Sequence, residues 1–412
     1  MEKMSRREFL KISALAPAVI PFSLNASQFR RHSSWNPINI GVIGTGDRGA
    51  YEAYILKETP GIKVVACCDI IPKHLQNGLN EADPGATGYT EYRELLAHKG
   101  MDAVLICTPQ HLHYQMALDA IASKKHIICQ KTMTLNTSEA IALSRAVKES
   151  NRVFQVAYQW QSSPLFNEIH KLVNDGICGQ VTHIRSNYNR NMEWRVPVDD
   201  PALERQLNWR MYREYSGGLM AELCSHHINI ANWMLNSVPE KVMGFGGIDY
   251  WKDGRETYDN VNVLFEYPGG IKASFQSTIT NAYEDVSFII MGTEGTIVIR
   301  KEEGQEAYFF PEEKALQDSV TTEELENIDG ISSATRKAWV RGQGVPITVE
   351  NHTKDDFETT RAMFLDFVEC VKTGQTPRSN IENGRNVAIA VDLANKAMRN
   401  GTIEHWELAY NG

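Results

Sequence analysis

The chain has 412 residues and a formal net charge of -9, and this length is sufficient for two domains with substantial cores. The acidic balance provides no basic stripe for a phosphate backbone, which argues against a nucleic-acid partner. We find no internal repeat or low-complexity tract, and we therefore expect the partner to be a small molecule.

Residues 1–27 have the pattern of a twin-arginine export signal. Residues 5–11 read Ser-Arg-Arg-Glu-Phe-Leu-Lys, in the order that such signals use. Residues 12–24 are apolar, but Pro17 and Pro21 interrupt them, whereas a transmembrane helix needs ~20 continuous apolar residues. We therefore predict an exported, periplasmic protein that does not span the membrane. The alternative is a disordered basic tail.

The first domain is predicted over residues 36–158 and opens with a strand, a glycine-rich turn and a helix. An apolar strand over residues 38–43 leads into G-x-G-x-x-G, and a helical stretch follows over residues 50–57. This order is typical of a dinucleotide-binding loop, in which bare backbone and helix N-terminal amides approach the pyrophosphate. The candidate cofactor-binding residues of the loop are Gly44, Thr45, Gly46, Asp47, Arg48 and Gly49.

A second strand over residues 63–68 ends at Asp69, twenty residues beyond Gly49 (69 - 49 = 20). A carboxylate at this offset binds the ribose hydroxyls of a dinucleotide. Because no arginine stands beside Asp69, the sequence favours NAD over NADP as the cofactor.

The strand and helix alternation continues and predicts a parallel sheet with crossover helices. A strand over residues 101–107 ends in Thr108 and Pro109, His113 lies in the helix that follows, and the next strand ends before Lys131. Ligands bind at the carboxyl ends of such strands, so Thr108, Pro109, His113 and Lys131 are further candidate cofactor-binding residues. Lys131 is the first catalytic candidate, because a buried ammonium near a positively charged nicotinamide loses its proton readily. A surface lysine closing a strand is the alternative.

The second domain is predicted over residues 159–412, where long β-runs replace the alternation. Its strands indicate a large, open and mostly antiparallel sheet, so the chain as a whole is α/β followed by α+β. Residues 302–353 are charged and irregular and suggest a surface excursion. Two closing helices near residues 357–373 and 382–399 carry apolar residues at helical spacing, which indicates packing. The seven cysteines show no C-x-x-C spacing and read as buried thiols.

Residues 217–229 carry the second group of chemistry-bearing side chains. Glu222 and His226 are four residues apart, so an α-helix places them on one face, where they can bracket one ligand. His227 lies about 100° away on the same helix. A metal site built on Glu222 and His226 would have two ligands with no evident third, so we expect no metal.

Aromatic and hydrogen-bonding side chains crowd the segments before this helix, as expected of a sugar site with apolar walls and polar anchors. We take Tyr158, Arg185 and Trp194 as candidate substrate-binding residues, together with Lys131, Glu222 and His226. Structural packing is the alternative for each aromatic side chain.

These landmarks together resemble the Gfo/Idh/MocA oxidoreductases. The resemblance covers Gly44 to Gly49, Asp69, Thr108-Pro109 with His113, and Gln130-Lys131-Thr132. It implies that Lys131 contacts both nicotinamide and a substrate hydroxyl and that His226 is catalytic. It also implies that the open sheet pairs into a homodimer or tetramer. The family's Glu-Lys-Pro motif is replaced by Gln-Lys-Thr in this chain. In the family, the peptide bond before that proline is often cis. The family's two aspartates around the histidine are Glu222 and Asn229.

The sequence therefore predicts an NAD-dependent oxidoreductase acting on a secondary hydroxyl of a sugar or glycoside, at C3 of a glucoside. In this hypothesis Lys131 and His226 remove the hydroxyl proton and Glu222 orients the histidine. Because NAD is made in the cytoplasm, an exported enzyme must keep it tightly bound and recycle it internally. The alternatives are a redox-neutral NAD-dependent glycosidase and a sugar-binding protein without catalysis.

Overall fold

The computed structural model describes residues 36–300, 306–312, 344–349 and 356–411. The predicted export signal at residues 1–27 lies outside this range, as does most of the predicted surface excursion at residues 302–353. Within the described residues, no helix has the length and apolar character that crossing a membrane requires.

The first sheet has six parallel strands in the order β3-β2-β1-β4-β5-β6. Its strands are apolar runs buried on both faces, because helices cover both sides of a parallel sheet. The strands are β1 (Ile38–Ile43), β2 (Ile62–Cys68), β3 (Thr87–Tyr89), β4 (Ala103–Ile106), β5 (His126–Cys129) and β6 (Phe154–Val156). The helices that connect them are α1 (Asp47–Lys57), α2 (Pro72–Glu81), α3 (Tyr92–Leu96), α4 (Gln110–Ala122) and α5 (Thr137–Ser150). The predicted parallel sheet is confirmed.

The second sheet has nine strands in the order β14-β13-β12-β11-β7-β10-β9-β8-β15. Its neighbouring strands are antiparallel except for β7 and β10, which confirms the mostly antiparallel open sheet. The strands are β7 (Val181–Asn189), β8 (Lys241–Gly247), β9 (Asn260–Tyr267), β10 (Ile271–Thr278), β11 (Val286–Gly292), β12 (Gly295–Arg300), β13 (Glu306–Pro311), β14 (Val345–Ile347) and β15 (Glu404–His405).

The remaining helices pack between and beside the two sheets. They are α6 (Pro164–Asn174), α7 (Glu204–Leu207), α8 (Ser225–Leu235), α9 (Asp356–Thr373) and α10 (Ile381–Asn400). Helix α10 begins with a capping box at Asn380 and ends at Gly401, whose left-handed backbone suits a helix terminus. It contacts α5, β6, α8 and β8, so this one helix packs against elements of both domains.

Helix α9 returns to the first domain although it lies about 200 residues after β6. Its apolar side chains Met363, Phe364 and Phe367 share a buried cluster with Ile40 and Val42 of β1. The predicted apolar spacing of this segment therefore serves packing, and the packing is against the first sheet.

All seven cysteines are free thiols, and six of them are buried while Cys107 is partly buried. This confirms the expectation of core thiols without disulfides.

Candidate active site

The glycine loop between β1 and α1 has the backbone that a dinucleotide requires. Gly44 has a φ of +85°, and a Cβ built on Gly49 would lie 1.8 Å from the carbonyl oxygen of Gly44. A Cβ on Gly46 would meet no protein atom closer than 3.6 Å. The first and third glycines are thus required by the fold, whereas Gly46 leaves open space at the N-terminus of α1, where phosphates bind.

Asp69 follows β2 and lies beside this loop. Its carboxylate accepts hydrogen bonds from the backbone N–H groups of Thr45, at 2.8 Å, and Ile71, at 2.9 Å. A carboxylate has about four acceptor positions, so these two bonds fix Asp69 and leave acceptor capacity for ribose hydroxyls. The loop and Asp69 therefore fit NAD.

The other loop residues have protein partners or face solvent. Asp47 is exposed at the start of α1. The Arg48 guanidinium donates to Glu52, at 2.7 Å, and to Asp356 of α9, at 3.1 Å. Glu52 also accepts from Gln130, the residue before Lys131. A buried polar connection thus runs from the glycine loop to the candidate lysine.

Thr108 and Pro109 lie between β4 and α4, as predicted, and His113 is buried in α4 with both ring nitrogens facing main-chain oxygens. Its Nδ1 lies 2.8 Å from the carbonyl oxygen of Thr132, and its Nε2 lies 2.8 Å from that of Thr108. A neutral ring can donate to only one of these two oxygens, and His113 lies between the two strand-end loops. Its burial lowers its pKa.

Lys131 follows β5, and its peptide bond to Thr132 is cis. Its Nζ donates to the main-chain oxygen of Glu222 at 2.6 Å and lies 4.0 Å from Oε2 of the same residue. Burial lowers the pKa of Lys131, although the charge of Glu222 opposes this shift. A lysine with a lowered pKa can accept a proton near neutral pH.

Glu222 lies in a single π-helical turn, Met220–Cys224, which runs directly into α8. Its Oε1 accepts from Nε2 of Gln110, at 2.7 Å, and its Oε2 accepts from Nε of Arg210, at 2.8 Å. Burial opposes ionisation of this carboxyl, but Lys131 and Arg210 hold its pKa below the usual value. Glu222 is therefore a fixed carboxylate.

The predicted orientation of His226 by Glu222 is wrong. The hydrogen bonds that the structure gives the Glu222 carboxylate come from Gln110 and Arg210. The prediction assumed regular α-helical geometry between the two residues, whereas a π turn follows an i→i+5 pattern and changes which side chains share a face.

His226 lies against aromatic rings at the start of α8. Its ring centroid is 5.1 Å from that of Trp160 and 5.8 Å from that of Tyr158, the latter in an edge-on arrangement. Burial and the charge of Lys131 keep its pKa well below the usual value. The imidazole is therefore neutral and a weak base, which can hydrogen-bond a substrate hydroxyl beside the Lys131 amine. The structure thus brings together Lys131, Glu222, His226 and Tyr158.

Several donors around His226 have no protein partner. Nε1 of Trp160 and Nδ2 of Asn229 are buried without a hydrogen bond, as is Nδ1 of His226, whereas the Tyr158 hydroxyl interacts with the side chain of Ser225. Buried polar groups are normally satisfied, so these atoms fit a ligand that presents acceptor oxygens.

His227 lies behind the aromatic rings that contact His226. It is 1% exposed, and its Nδ1 lies 3.0 Å from Oγ of Ser186. Burial lowers its pKa to about 3. His227 is therefore a neutral core residue.

Acid should destabilise the protein through His227. Between pH 6.5 and about 3 the unfolded chain carries a proton on this residue and the folded chain does not, so the free energy of unfolding falls as the pH falls. The expected contribution of His227 to the slope of the free energy of unfolding against pH is about 1.4 kcal/mol per pH unit. Urea unfolding at several pH values should show a shallower slope for His227→Gln, whereas His183→Gln, at an exposed site, should keep the full slope. Equal slopes for both variants would contradict the assignment.

Two predicted substrate residues are placed differently. Arg185 is exposed, while its neighbours Ile184 and Ser186 are buried, so it lies on the outer face of the sheet, away from His226. Side chains alternate along a strand, and the prediction put Arg185 on the wrong face. Trp194 is partly buried in the segment after β7 and packs against the core.

Sequence reasoning missed Gln110 and Glu52. Gln110 is 1% exposed and holds Glu222, and its position directly after Pro109 at a strand end was the available signal. Glu52 stands four residues after Arg48, a spacing that indicates an ion pair on a helix.

No group of three or more His, Cys, Asp or Glu side chains in the described part of the chain is arranged to hold a metal ion.

Family models match both domains. The model described as an oxidoreductase family with an NAD-binding Rossmann fold matches residues 38–158, and the GFO/IDH/MocA C-terminal domain matches residues 166–298. Together they cover more than half of the chain.

Curated relatives and solved structures agree with these models. Levoglucosan dehydrogenase from Pseudarthrobacter phenanthrenivorans is 27% identical over 53% of this chain and 60% of its own length. The 2,7-anhydro-N-acetylneuraminate hydratase of Escherichia coli is 26% identical over 65% of this chain and 68% of its own. A levoglucosan dehydrogenase structure in complex with NADH and L-sorbose has a TM-score of 0.73 at 19% identity, over 89% of this chain and 98% of that one. The chain therefore belongs to the Gfo/Idh/MocA oxidoreductases, with an NAD-binding Rossmann domain followed by the family's C-terminal domain.

Proposed function

We propose that the protein oxidises a secondary hydroxyl of a sugar or glycoside to a ketone. The observation that carries this proposal is the Lys131 amine, held 2.6 Å from the Glu222 carbonyl oxygen beside a neutral His226. Bound NAD+ would supply the hydride acceptor, held by Gly44 to Gly49 and Asp69. The protein must then remove the hydroxyl proton, and the lowered pKa of Lys131 suits this task, while His226 stays neutral beside it.

Lys131 and His226 have different roles in proton removal because their surroundings differ. The Lys131 Nζ lies 4.0 Å from Oε2 of the fixed Glu222 carboxylate, which stabilises the ammonium once the amine has taken the proton. Gln110 and Arg210 keep that carboxylate in place. His226 has the aromatic rings of Tyr158 and Trp160 on one side, so its orientation comes from packing, and it can share the proton with Lys131.

The walls of the site suit a carbohydrate. Aromatic rings accept the C–H face of a sugar, and the unpartnered donors of Trp160 and Asn229 match its hydroxyl and ether oxygens. The names of the relatives also point to sugars, since levoglucosan dehydrogenase and a hydratase of an anhydro sugar acid are among them.

Two finer points belong to the same proposal. We infer that oxidation occurs at C3 of a glucoside, and that NAD stays bound and is recycled within the site. Retention of NAD follows from the export signal predicted in residues 1–27. Because NAD is made and recycled in the cytoplasm, an exported enzyme has to carry its cofactor with it. We further infer that the open outer face of the second sheet pairs copies of the chain into a dimer or tetramer.

A second candidate is a redox-neutral reaction in which transient oxidation permits elimination and water addition. One observation favours it: a relative that aligns over 65% of this chain is named a hydratase, and hydration leaves no net change in redox state. The same Lys131 and His226 could serve both reactions.

Incubating the purified protein with aryl glucosides, without added NAD, separates the two candidates. The dehydrogenase predicts a keto sugar in an amount no greater than the NAD released on denaturation, and no free aglycone. Catalytic release of aglycone without accumulating ketone would establish the redox-neutral reaction instead. Absence of both products, with NAD bound and a panel of free sugars also inert, would overturn the proposal.

A further inference from the structure

The first turn of α2 lies against the glycine loop. Oγ1 of Thr45 donates to the main-chain oxygen of His74, at 2.9 Å. One turn farther along the helix, a Cβ built on Gly78 would lie 2.5 Å from side-chain atoms of Thr45, so the helix packs closely on the loop. These contacts fix the point from which the His74 side chain projects.

The His74 ring borders the open space beside Gly46. Its Nδ1 and Cε1 lie 3.6 and 3.7 Å from a Cβ built on Gly46. The same Nδ1 lies 3.8 Å from Oδ1 of Asp69. One ring nitrogen is therefore close both to the backbone that phosphates approach and to the carboxylate that binds ribose.

The His74 ring is available to a ligand. Its side chain is 26% exposed, and within the described ranges of the chain its nitrogens take part in no hydrogen bond. The 3.8 Å between Nδ1 and Asp69 exceeds the length of a direct hydrogen bond, which is about 2.7–3.2 Å. A single oxygen atom beside both groups can lie within hydrogen-bond distance of each.

Asp69 and His74 together match a hydroxyl group. A carboxylate only accepts hydrogen bonds, an imidazole can donate one from Nδ1, and a hydroxyl does both. The neighbouring Ile70 is 65% exposed, and its apolar surface suits the flat face of a nucleobase, whose contact would remove it from water. The adenosine end of a dinucleotide therefore fits this side of the loop.

We propose that His74 is a cofactor-binding residue that, together with Asp69, holds the 2′-hydroxyl of the adenosine ribose of NAD. Asp69 accepts the hydrogen bond that this hydroxyl donates, and Nδ1 of His74 donates to its oxygen. The pair selects against the 2′-phosphate of NADP, whose negative charge the Asp69 carboxylate repels. This inference concerns recognition of the cofactor, and it holds whatever sugar the protein oxidises.

Calorimetric titration of the full-length protein, after removal of any bound nucleotide, tests the pair. The two ligands are NAD and an NAD analogue that lacks the adenosine 2′-hydroxyl. The wild-type protein should bind NAD roughly tenfold more tightly than the analogue. His74→Phe keeps a planar ring without a donor, so it should weaken NAD binding roughly threefold to tenfold and leave the affinity for the analogue unchanged. An equal loss for both ligands, or an unchanged affinity for NAD, would overturn the assignment.

Two further variants separate hydrogen bonding from packing. His74→Asn carries an amide nitrogen near the position of Nδ1 and should regain most of the NAD affinity that His74→Phe loses; no regain would contradict a donor role. Gln76→Ala is the matched control, because Gln76 is exposed on α2 and donates to Asn80, and side chains two residues apart on a helix do not share a face. It should bind both ligands as the wild type does. The two affinities are compared within each protein, so a change in stability does not imitate the expected result. No sugar is added, which makes the outcome independent of the proposed function.

Discussion

Replacing Lys131 by methionine is expected to lower kcat by roughly 10² to 10⁴-fold, the range that a positioned general acid or base contributes. Methionine keeps the length of the apolar stem but removes the amine that donates to Glu222. NAD affinity should change little, because the glycine loop and Asp69 hold the dinucleotide. Steady-state rates with the sugar substrate, beside an NAD titration followed by fluorescence, give both values.

Two further variants identify the role of the amine. Lys131→Arg keeps the positive charge but cannot release a proton near neutral pH, so it should be as inactive as Lys131→Met. Lys125→Met is the matched control, because Lys125 lies just before the opposite end of β5 and also donates to a main-chain oxygen, that of Met101; it should keep full activity. Substantial activity in Lys131→Arg would mean that the charge matters and the proton does not.

The pH profile follows from the same chemistry. The base must be unprotonated to accept the hydroxyl proton, so kcat/KM should rise with pH and then level off. Because burial lowers the pKa of Lys131, the plateau should begin below the ordinary lysine value of about 10.4.

Two alanine substitutions in the glycine loop should separate cofactor binding from folding. Gly46→Ala should weaken NAD binding by about 100-fold or more, ~2.7 kcal/mol, because the methyl group occupies the space at the N-terminus of α1. Its effect on stability should stay within about 0.5 kcal/mol, because Gly46 has an ordinary φ of -61° and no protein atom within 3.6 Å of the added Cβ.

Gly49→Ala should instead damage the fold itself. Its Cβ would lie 1.8 Å from the Gly44 carbonyl oxygen, so the strand and helix must move apart, at a cost of roughly 1–3 kcal/mol or more. Thermal unfolding and NAD titration on the same samples test both substitutions. A Gly46→Ala protein that binds NAD normally would show that the dinucleotide does not approach this backbone.

Much of the first domain could be predicted because its signals are local. The spacing of Gly44, Gly46 and Gly49, and the position of Asp69, follow from the strand and helix that flank them. Lys131 was found in the same way, since a strand end fixes where a residue lies even when its partners are unknown. The structure confirms the parallel sheet with crossover helices that these patterns imply.

The details of the second group of residues depend on geometry that the sequence does not display. An unbroken helical pattern around Glu222 hides the π turn, so its partners Gln110 and Arg210 could not be identified. The face of Arg185 depends on strand phase, and residues 181–189 mix polar and apolar side chains without clear alternation. The contact of α9 with β1 joins residues more than 300 positions apart, which no local pattern reports.

The packing of α9 against the first domain also determines when the cofactor site is completed during synthesis. The ribosome releases the dinucleotide domain first, but the apolar cluster on one face of its sheet stays incomplete until Met363, Phe364 and Phe367 have been synthesised. Asp356, at the start of the same helix, then completes the hydrogen bonding of Arg48 in the glycine loop. The two halves of the chain consequently mature together, and the cofactor site reaches its final form only after nearly the whole polypeptide has been made.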